Sequence, residues 1–153
     1  MNLKITVDFG KIEKAFEQAP DETTKQLRSG LEIAVRDIQE YASEHHRYTS
    51  RSNNLEREGI VTKVEGNTGV VKLNPSVPYA QFVHEGTRRH KIRRKHKRAL
   101  RWPDGDNFRY AQSVDHPGTA PDQFLYEASK AQEKHIQEVL GCSVDEALRK
   151  AGL

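Results

Sequence analysis

Cysteine is nearly absent from this sequence, which has one, Cys142, in 153 residues. A single cysteine cannot form an internal disulfide, and no second one is present to complete a zinc site. We therefore expect Cys142 to serve packing. Long hydrophobic runs are also absent: none approaches the roughly 20 residues that span a bilayer, and the opening MNLKITVDFGK lacks the apolar stretch of a secretion signal. These absences predict no membrane partner and a cytoplasmic location.

Catalytic and metal-binding motifs are missing as well. The sequence contains no HExxH, DxD or GxSxG pattern and no glycine-rich loop that could hold a phosphate. Of the seven histidines, His45 and His46 are adjacent and cannot face the same way on a helix, and His90 and His96 lie among cations that discourage a metal ion. We expect no catalytic residue, no metal site and no cofactor, so an enzyme is not predicted.

Positive charge is concentrated in one segment. The chain has 25 Lys and Arg against 22 Asp and Glu, a formal net charge of +3. Between Arg88 and Arg101 there are nine cations and no acid, which leaves 16 cations against 22 acids elsewhere. The nine cations are Arg88, Arg89, Lys91, Arg93, Arg94, Lys95, Lys97, Arg98 and Arg101. Because such a dense run repels itself, we expect an acidic partner to meet it.

Three interpretations of this basic segment are open. It could be a solvated loop, it could contact an acidic protein surface, or it could bind a phosphate backbone without sequence preference and with steep salt dependence. Between the two functional interpretations, we place the protein contact first and DNA second. The net negative remainder of the chain could itself supply the acidic surface. We also expect the segment to be mobile in a free subunit and fixed on docking.

Hydrophobic periodicity predicts alternating helical and extended segments. In order, these are a strand over 3–7, a short helix over 12–19, a long helix over 21–45, a loop over 48–58 with Leu55 as an anchor, strands over 60–65 and 70–73, a short helix over 78–86, a second hairpin over 100–114, and a helix from Pro121. The length suits one domain. We predict a single α+β domain over 1–153, in which a mostly antiparallel sheet packs against one long helix in the N-terminal half and one C-terminal helix.

Two details complete the predicted domain. Ser143 and Glu146 have the spacing of a capping box, which predicts a short appended C-terminal helix over 143–151. The basic segment is predicted to form an extended basic loop over 86–101.

In the short helix, Tyr79, Phe82 and Val83 are predicted to lie on the inner side, and Gly86 suits a left-handed cap. The following Thr87 can bind neighbouring backbone through its hydroxyl as the chain turns.

The sequence HPGT, from His116 to Thr119, predicts a turn. Pro117 and Gly118 suit a type II turn, because proline sets φ at one position and glycine allows a positive φ at the next. His116 could orient, or be oriented by, Asp115, but a role in the turn is the favoured interpretation.

Five blocks occur in order along the second half of the chain. They are YAQFVHEGT over 79–87, HKI over 90–92, KRALRW over 97–102, HPGT over 116–119 and FLYEA over 124–128. Together they resemble the phage tail-component family of tail-completion or neck proteins. The resemblance is carried by Tyr79, Phe82, Gly86, Thr87, Leu100, Trp102, His116, Pro117, Gly118 and Phe124. Upstream, SNNL over 52–55 is similar to the TGNL loop of that family.

The resemblance implies a structural virion protein of a tailed phage, at the neck or tail end, that is made in the host cytoplasm. It implies a homo-oligomeric ring as well as contacts with head-tail connector, tail-tube or terminator proteins and with DNA in the channel. His84 departs from the family pattern, where an acid is common, and so do Asp122 and Gln123, which replace a proline-containing approach to Phe124. A small nucleic-acid-binding protein that uses residues 88–101 is the alternative function, and a nuclease built on the histidines is a third.

Overall fold

The polypeptide alternates between helices and short antiparallel strands in a computed structural model that describes residues 2–6, 17, 20–49 and 53–152. The helices in these residues are α1 (Pro20–Glu44), α2 (Asn54–Glu58), α3 (Tyr79–Glu85) and α4 (Phe124–Lys150). The strands are β1 (Asn2–Thr6), β2 (Ile60–Glu65), β3 (Thr68–Leu73), β4 (His90–Arg93), β5 (Leu100–Asp104), β6 (Asn107–Ala111) and β7 (Ser113–His116). The predicted strand over 3–7 is confirmed for residues 3–6, and residue 7 lies outside the described residues. Nearly all of the helix predicted over 12–19 lies outside the described residues.

Helix α1 forms where the predicted long helix was placed. Asp21 and Glu22 occupy its first turn, where they face the positive end of the helix dipole. Its apolar stripe is buried and consists of Leu27, Leu31, Ala34, Val35, Ile38 and Ala42. Gly30 lies in mid-helix because α4 passes close by: a Cβ at this position would lie 2.2 Å from the Ser143 hydroxyl oxygen. The helix that sequence periodicity predicts is therefore also the scaffold for the C-terminal helix.

Helix α4 is one continuous element, so the prediction of a separate helix over 143–151 is wrong. Ser143 does not cap a new helix; its hydroxyl donates to the Val139 carbonyl four residues back, at 2.9 Å. The helix continues because Val144 and Leu148 pack on the cluster around Leu27 and Leu31 of α1. Burial of this extended stripe outweighs the capping-box pattern.

Cys142 is exposed on α4, which corrects the expectation that it serves packing. Of its two neighbours in sequence, Gly141 also faces open space, whereas Ser143 is partly buried against α1. The helical period thus places residue 142 on the outer side.

Strands β1, β3 and β2 form an antiparallel sheet in that order, and α1 packs on it. Val71 of β3 and Ile60 of β2 are buried against Val35 and Ile38 of α1, together with Phe124 of α4. Both long helices and this sheet pack around the same hydrophobic cluster, which confirms the α+β class.

The segment predicted as a loop over 48–58 contains the short helix α2, so that prediction is wrong for residues 54–58. Asn53 precedes the helix with a positive φ of 54°. Leu55 is buried against Val77 and Ala80, which confirms its predicted role as an anchor. A polar turn of helix therefore forms because one leucine attaches it to the core.

Strands β4 to β7 form two further antiparallel pairs, β4 with β7 and β5 with β6, and neither pair packs extensively on a helix or on the first sheet. The antiparallel strands thus lie in three separate sheets. Within the described part of the chain, no helix combines the length and the apolar character needed to cross a membrane.

Candidate functional site

The two strand pairs outside the core belong to one long hairpin, residues 88–116, which we call the arm. Near its root, His90 lies opposite His116 and Arg93 opposite Ser113; the Arg94 amide then donates to the Gln112 carbonyl at 3.0 Å. Farther out, Leu100 lies opposite Ala111. Between these two registers the outgoing strand has five extra residues, 95–99, with none opposite them. The arm therefore consists of two ribbon segments with a basic loop, KHKRA, inserted between them.

The predicted extended loop over 86–101 is therefore wrong for residues 90–93, which form β4, and for residues 100 and 101, which belong to β5. The hairpin predicted over 100–114 is confirmed for β5 and β6, but its last residues pair with β4 instead. Sequence periodicity could not show this pairing, because alternation reveals that a segment is extended and not which strand it meets.

All nine cations of the basic segment are exposed. Among the described residues, Lys91 is the one that forms a salt bridge, with Asp115 across the ribbon at 3.7 Å. The Arg101 guanidinium lies 3.6 Å from the centre of the Phe108 ring, a cation–π contact. The remaining seven point their charge into solvent, so most of the charge stays unneutralised.

The outer ribbon of the arm presents aromatic side chains. Tyr110 is 65% exposed and Phe108 47% exposed. Tyr110 lies directly opposite Arg101, and Phe108 lies two residues along the same strand, so all three share one face. Leu100 and Trp102 lie on the other face and are half-buried. The pattern Leu100–Trp102 predicted a strand but did not indicate this aromatic face.

A clasp joins the arm to the rest of the molecule, and the two Gly-Thr pairs of the sequence form it. The Thr87 amide donates to the Thr119 carbonyl at 2.9 Å, and the Thr119 amide donates to the Thr87 carbonyl and hydroxyl, each at 3.0 Å. Gly118, at φ +97°, lies against the Thr87 carbonyl, where a Cβ would come within 2.2 Å of the oxygen. Gly86, at φ +73°, lies against the Thr119 carbonyl, where a Cβ would come within 2.7 Å of the oxygen. The Thr87 hydroxyl binds backbone as predicted, but its partner is the amide of Thr119, 32 residues away, and not the neighbouring chain. The positive φ of both glycines is confirmed.

Gly86 does not adopt the predicted left-handed helical cap. Its ψ of 175° places it in an extended region at positive φ that is essentially restricted to glycine. The chain therefore leaves α3 directly into the clasp.

His116 has an architectural position at the root of the arm. Its Nδ1 accepts the Gly118 amide at 3.1 Å, and its ring lies 5.1 Å from that of His90. His90 in turn contacts the Arg88 carbonyl through Nδ1 at 2.8 Å. Asp115 pairs with Lys91 across the ribbon. The described contacts thus favour a structural position for His116 over its pairing with Asp115. The predicted turn at 116–119 is wrong, because Thr119 pairs with Thr87 in the same register in which His116 pairs with His90, so the segment continues the ribbon.

Helix α3 exposes the aromatic residues that were predicted to face inward. Phe82 is 59% exposed and Tyr79 44% exposed, whereas Ala80 and His84 are buried and Val83 is partly buried. Of the predicted inner face, only Val83 is confirmed. The difference arises because Ala80 packs closely on Leu55 and Val77, which turns the larger rings outward. The exposed rings of Tyr79 and Phe82 are therefore available for contacts with another molecule.

His84 and Phe124, both in blocks that resemble the phage family, meet in the interior. Their ring centres lie 5.1 Å apart in an edge-to-face arrangement, and Tyr48 meets Phe124 in the same way at 5.5 Å. Both ring nitrogens of His84 are buried, and neither has a hydrogen-bond partner within the described residues. Burial lowers the pKa of His84, because the charged imidazolium would lose its hydration there.

Asp122 holds the start of α4 against the end of α1. It is buried, and its Oδ2 accepts the backbone amides of Arg47 at 2.5 Å and Tyr48 at 2.8 Å. The Arg47 guanidinium binds both carboxylate oxygens of Glu127, at 3.0 and 2.9 Å. This hydrogen bond raises the pKa of Arg47, and the charge of Glu127 adds to the effect. The sequence prediction missed this junction, because only tertiary structure brings residues 47 and 122 together.

No group of three or more metal-ligating side chains is brought together in the described ranges. Comparisons with family models, with curated proteins and with solved structures found no match to this chain.

Proposed function

We propose that this protein is a structural subunit of a tailed bacteriophage particle, which forms a ring that completes the tail or joins it to the head. The observation that carries the proposal is the meeting of the family-like blocks. Three of them, 79–87, 116–119 and 124–128, are separate in sequence but adjoin through the clasp and the contact between His84 and Phe124. Blocks that build one structural unit are a more specific resemblance than unconnected short matches would be, and this supports the family assignment.

The exposed side of α3 supports the proposed assembly. Phe82 lines a surface depression together with Leu73 and Val77, and Tyr79 is exposed on the same short helix. Clustered apolar surface of this kind is costly to leave in water and is typical of protein interfaces. We assign this surface to the contact with a neighbouring copy in the ring; the connector, tail-tube or terminator proteins are the proposed partners on the ring's outer faces. The role requires no catalysis, and its setting is the virion after assembly in the host cytoplasm.

The test is electron microscopy and sedimentation of the purified chain, alone and with its connector. We expect rings of defined symmetry in at least one sample. Phe82→Glu should abolish them while leaving the circular dichroism spectrum unchanged, because residue 82 contributes little to the core. Tyr126→Glu, on exposed surface of α4, is the matched control and should leave the rings intact. Monomers in both wild-type samples would refute the proposal.

A further inference from the structure

The arm carries a concentration of unneutralised positive charge that its own fold does not use, and we propose that it binds the phosphate backbone of a nucleic acid. The binding site is formed by β4, the inserted loop 95–99 and the aromatic face of the outer ribbon. In the proposed ring the ligand would be DNA in the channel, and only this placement rests on the proposed function. The binding itself follows from the arm alone.

The arm carries a large excess of positive charge. Residues 88–116 contain ten Lys or Arg and three acids. Two of those acids are already engaged, Asp115 with Lys91 and Asp104 with Arg109. Five consecutive cations along the chain are exposed and make no ion pair within the described residues: Arg93, Arg94, Lys95, Lys97 and Arg98. An external polyanion would relieve the repulsion among them.

These cations line two neighbouring depressions on the surface of the arm. One surface depression is lined by Lys91, Arg93, Arg94 and Lys95 and also by the neutral side chains of Gln112 and Ser113. A second depression shares Arg94 and Lys95 and continues past the inserted loop to Arg101. The two depressions therefore form a continuous cationic track that runs outward along the arm. Charged donors together with neutral hydroxyl and amide groups are the set that proteins use to hold phosphate oxygens.

The aromatic face beside the cationic track favours a nucleic acid over an acidic protein as the partner. At the outer end of the track, Arg101, Tyr110 and Phe108 share one face of the ribbon. Exposed rings beside guanidinium groups provide stacking surfaces for bases that have left a duplex. Against an acidic protein surface the cations would form ion pairs and the rings would add apolar contact, as aromatic side chains do at protein interfaces in general. A groove of cations that leads to exposed rings is the specific combination that single-strand binding uses. A nucleic acid can use both features, as a duplex through its phosphates and as a single strand through its bases as well.

Fluorescence anisotropy with the full chain tests the proposal, using a labelled single strand of about 20 nucleotides and the duplex of the same sequence at about 50 to 200 mM salt. If the five unpaired cations each meet one phosphate, duplex binding should weaken roughly 500-fold over this range, and single-strand binding roughly 130-fold. No binding at the lowest salt, or binding that salt does not weaken, would overturn the proposal. Tighter binding of an acidic polypeptide than of either oligonucleotide would also overturn it.

A pair of triple variants separates the arm from net charge. Replacement of Arg93, Arg94 and Lys95 by Glu should weaken binding at least 100-fold and reduce the slope of log affinity against log salt by about 3. The control replaces Lys25, Lys130 and Lys134 by Glu; these exposed helix residues give the same net charge, and we expect less than about threefold loss, since none lies on the arm. Equal losses in the two variants would refute a site on the arm.

Tyr110→Ala identifies the form of the ligand. A roughly tenfold loss for the single strand alone would assign the site to single strands, because stacking contributes on that scale. Tighter duplex binding that Tyr110→Ala does not change would assign it to duplex DNA; either result supports the phosphate track. If the protein forms oligomeric rings but does not bind nucleic acid, this inference alone is refuted. If it binds nucleic acid but stays monomeric with its connector, the proposed ring assembly alone is refuted.

Discussion

The body of the molecule, α1–α4 with β1–β3, and the arm, residues 88–116, are held together by different interactions. Every described side chain that is buried lies in these elements of the body or in the segments that join them, and none lies in the arm. The arm has ten cations and three acids, whereas the rest of the chain has 15 cations and 19 acids. The body is therefore stabilised by a hydrophobic core, and the arm by backbone pairing and the clasp. Because packing uses so few of the arm's side chains, they are free to contact a partner.

The largest expected difference in stability between the two regions comes from removing a phenylalanine ring from each. Phe124→Ala should lower the free energy of unfolding by about 3–5 kcal/mol, since it removes a fully buried ring that contacts Tyr48 and His84. Phe108→Ala in the arm should cost less than about 1 kcal/mol, because only a half-exposed ring and a cation–π contact are lost. Urea denaturation measures both. Equal losses would contradict the division into body and arm.

The clasp can be broken at Gly118. Gly118→Ala should destabilise the root of the arm by roughly 3 kcal/mol, because it forces a side chain to a positive φ and against the Thr87 carbonyl. Gly105→Ala is the control, since that glycine also has a positive φ but faces open space, and we expect about 1 kcal/mol there. Hydrogen exchange should show faster exchange of the Thr87 and Thr119 amides in the first variant only. Unchanged protection of these amides would argue against the clasp.

The junction at Asp122 provides an intermediate effect. Asp122→Ala should cost about 2 kcal/mol, because two buried backbone amides, those of Arg47 and Tyr48, lose their acceptor. Asp122→Asn retains a side-chain oxygen and should cost about half as much. Thermal unfolding can rank the two variants. A larger loss for Asn than for Ala would mean that hydrogen bonding to residue 122 does not hold this junction.

Acidification should destabilise the body through His84. Its pKa is lowered in the folded state, so below about pH 6.5, the ordinary histidine value, the unfolded chain takes up a proton that the folded chain does not. This contribution is absent above that pH and grows as the pH falls, at most by about 1.4 kcal/mol per pH unit. His84→Leu should reduce the slope of unfolding free energy against pH between 6.5 and the lowered pKa. An unchanged slope would exclude His84 as its source.

The smallest expected effect on stability is that of the arm cations. Replacement of Arg93, Arg94 and Lys95 by Glu should change the free energy of unfolding by less than about 0.5 kcal/mol. The three native side chains are exposed and have no salt bridge in the described part of the chain. Guanidinium chloride is unsuitable because its own salt screens charge; urea unfolding is the measurement. A large loss would show that these cations support the fold.

Much of the body could be predicted from sequence, because its elements are amphipathic. The periodicity located α1 within one residue at each end and identified Leu55 as an anchor. It failed where two positions compete for the core, as in α3, where the small Ala80 is buried and Phe82 is exposed. It also failed at Ser143, where a local capping signal was overridden by packing on α1.

In the candidate site, the sequence revealed charge and glycine positions but not geometry. The nine cations and both Gly-Thr pairs were recognised, since their composition and turn preferences are local properties. The aromatic face was missed, because Arg101 and Tyr110 become neighbours only through strand register. The ring and virion roles stay predictions, as does the mobility of the basic segment before docking.

For this protein, the sequence by itself determined the α+β class, the course of the long helix α1 and the place where the charge reverses sign. Only the tertiary structure decided that the basic segment is part of a two-stranded arm and that residues 87 and 119 close its root. The physical reason is range. Periodicity and charge density are set by near neighbours in the chain, whereas strand partners, buried faces and the contact between His84 and Phe124 depend on which distant segments meet.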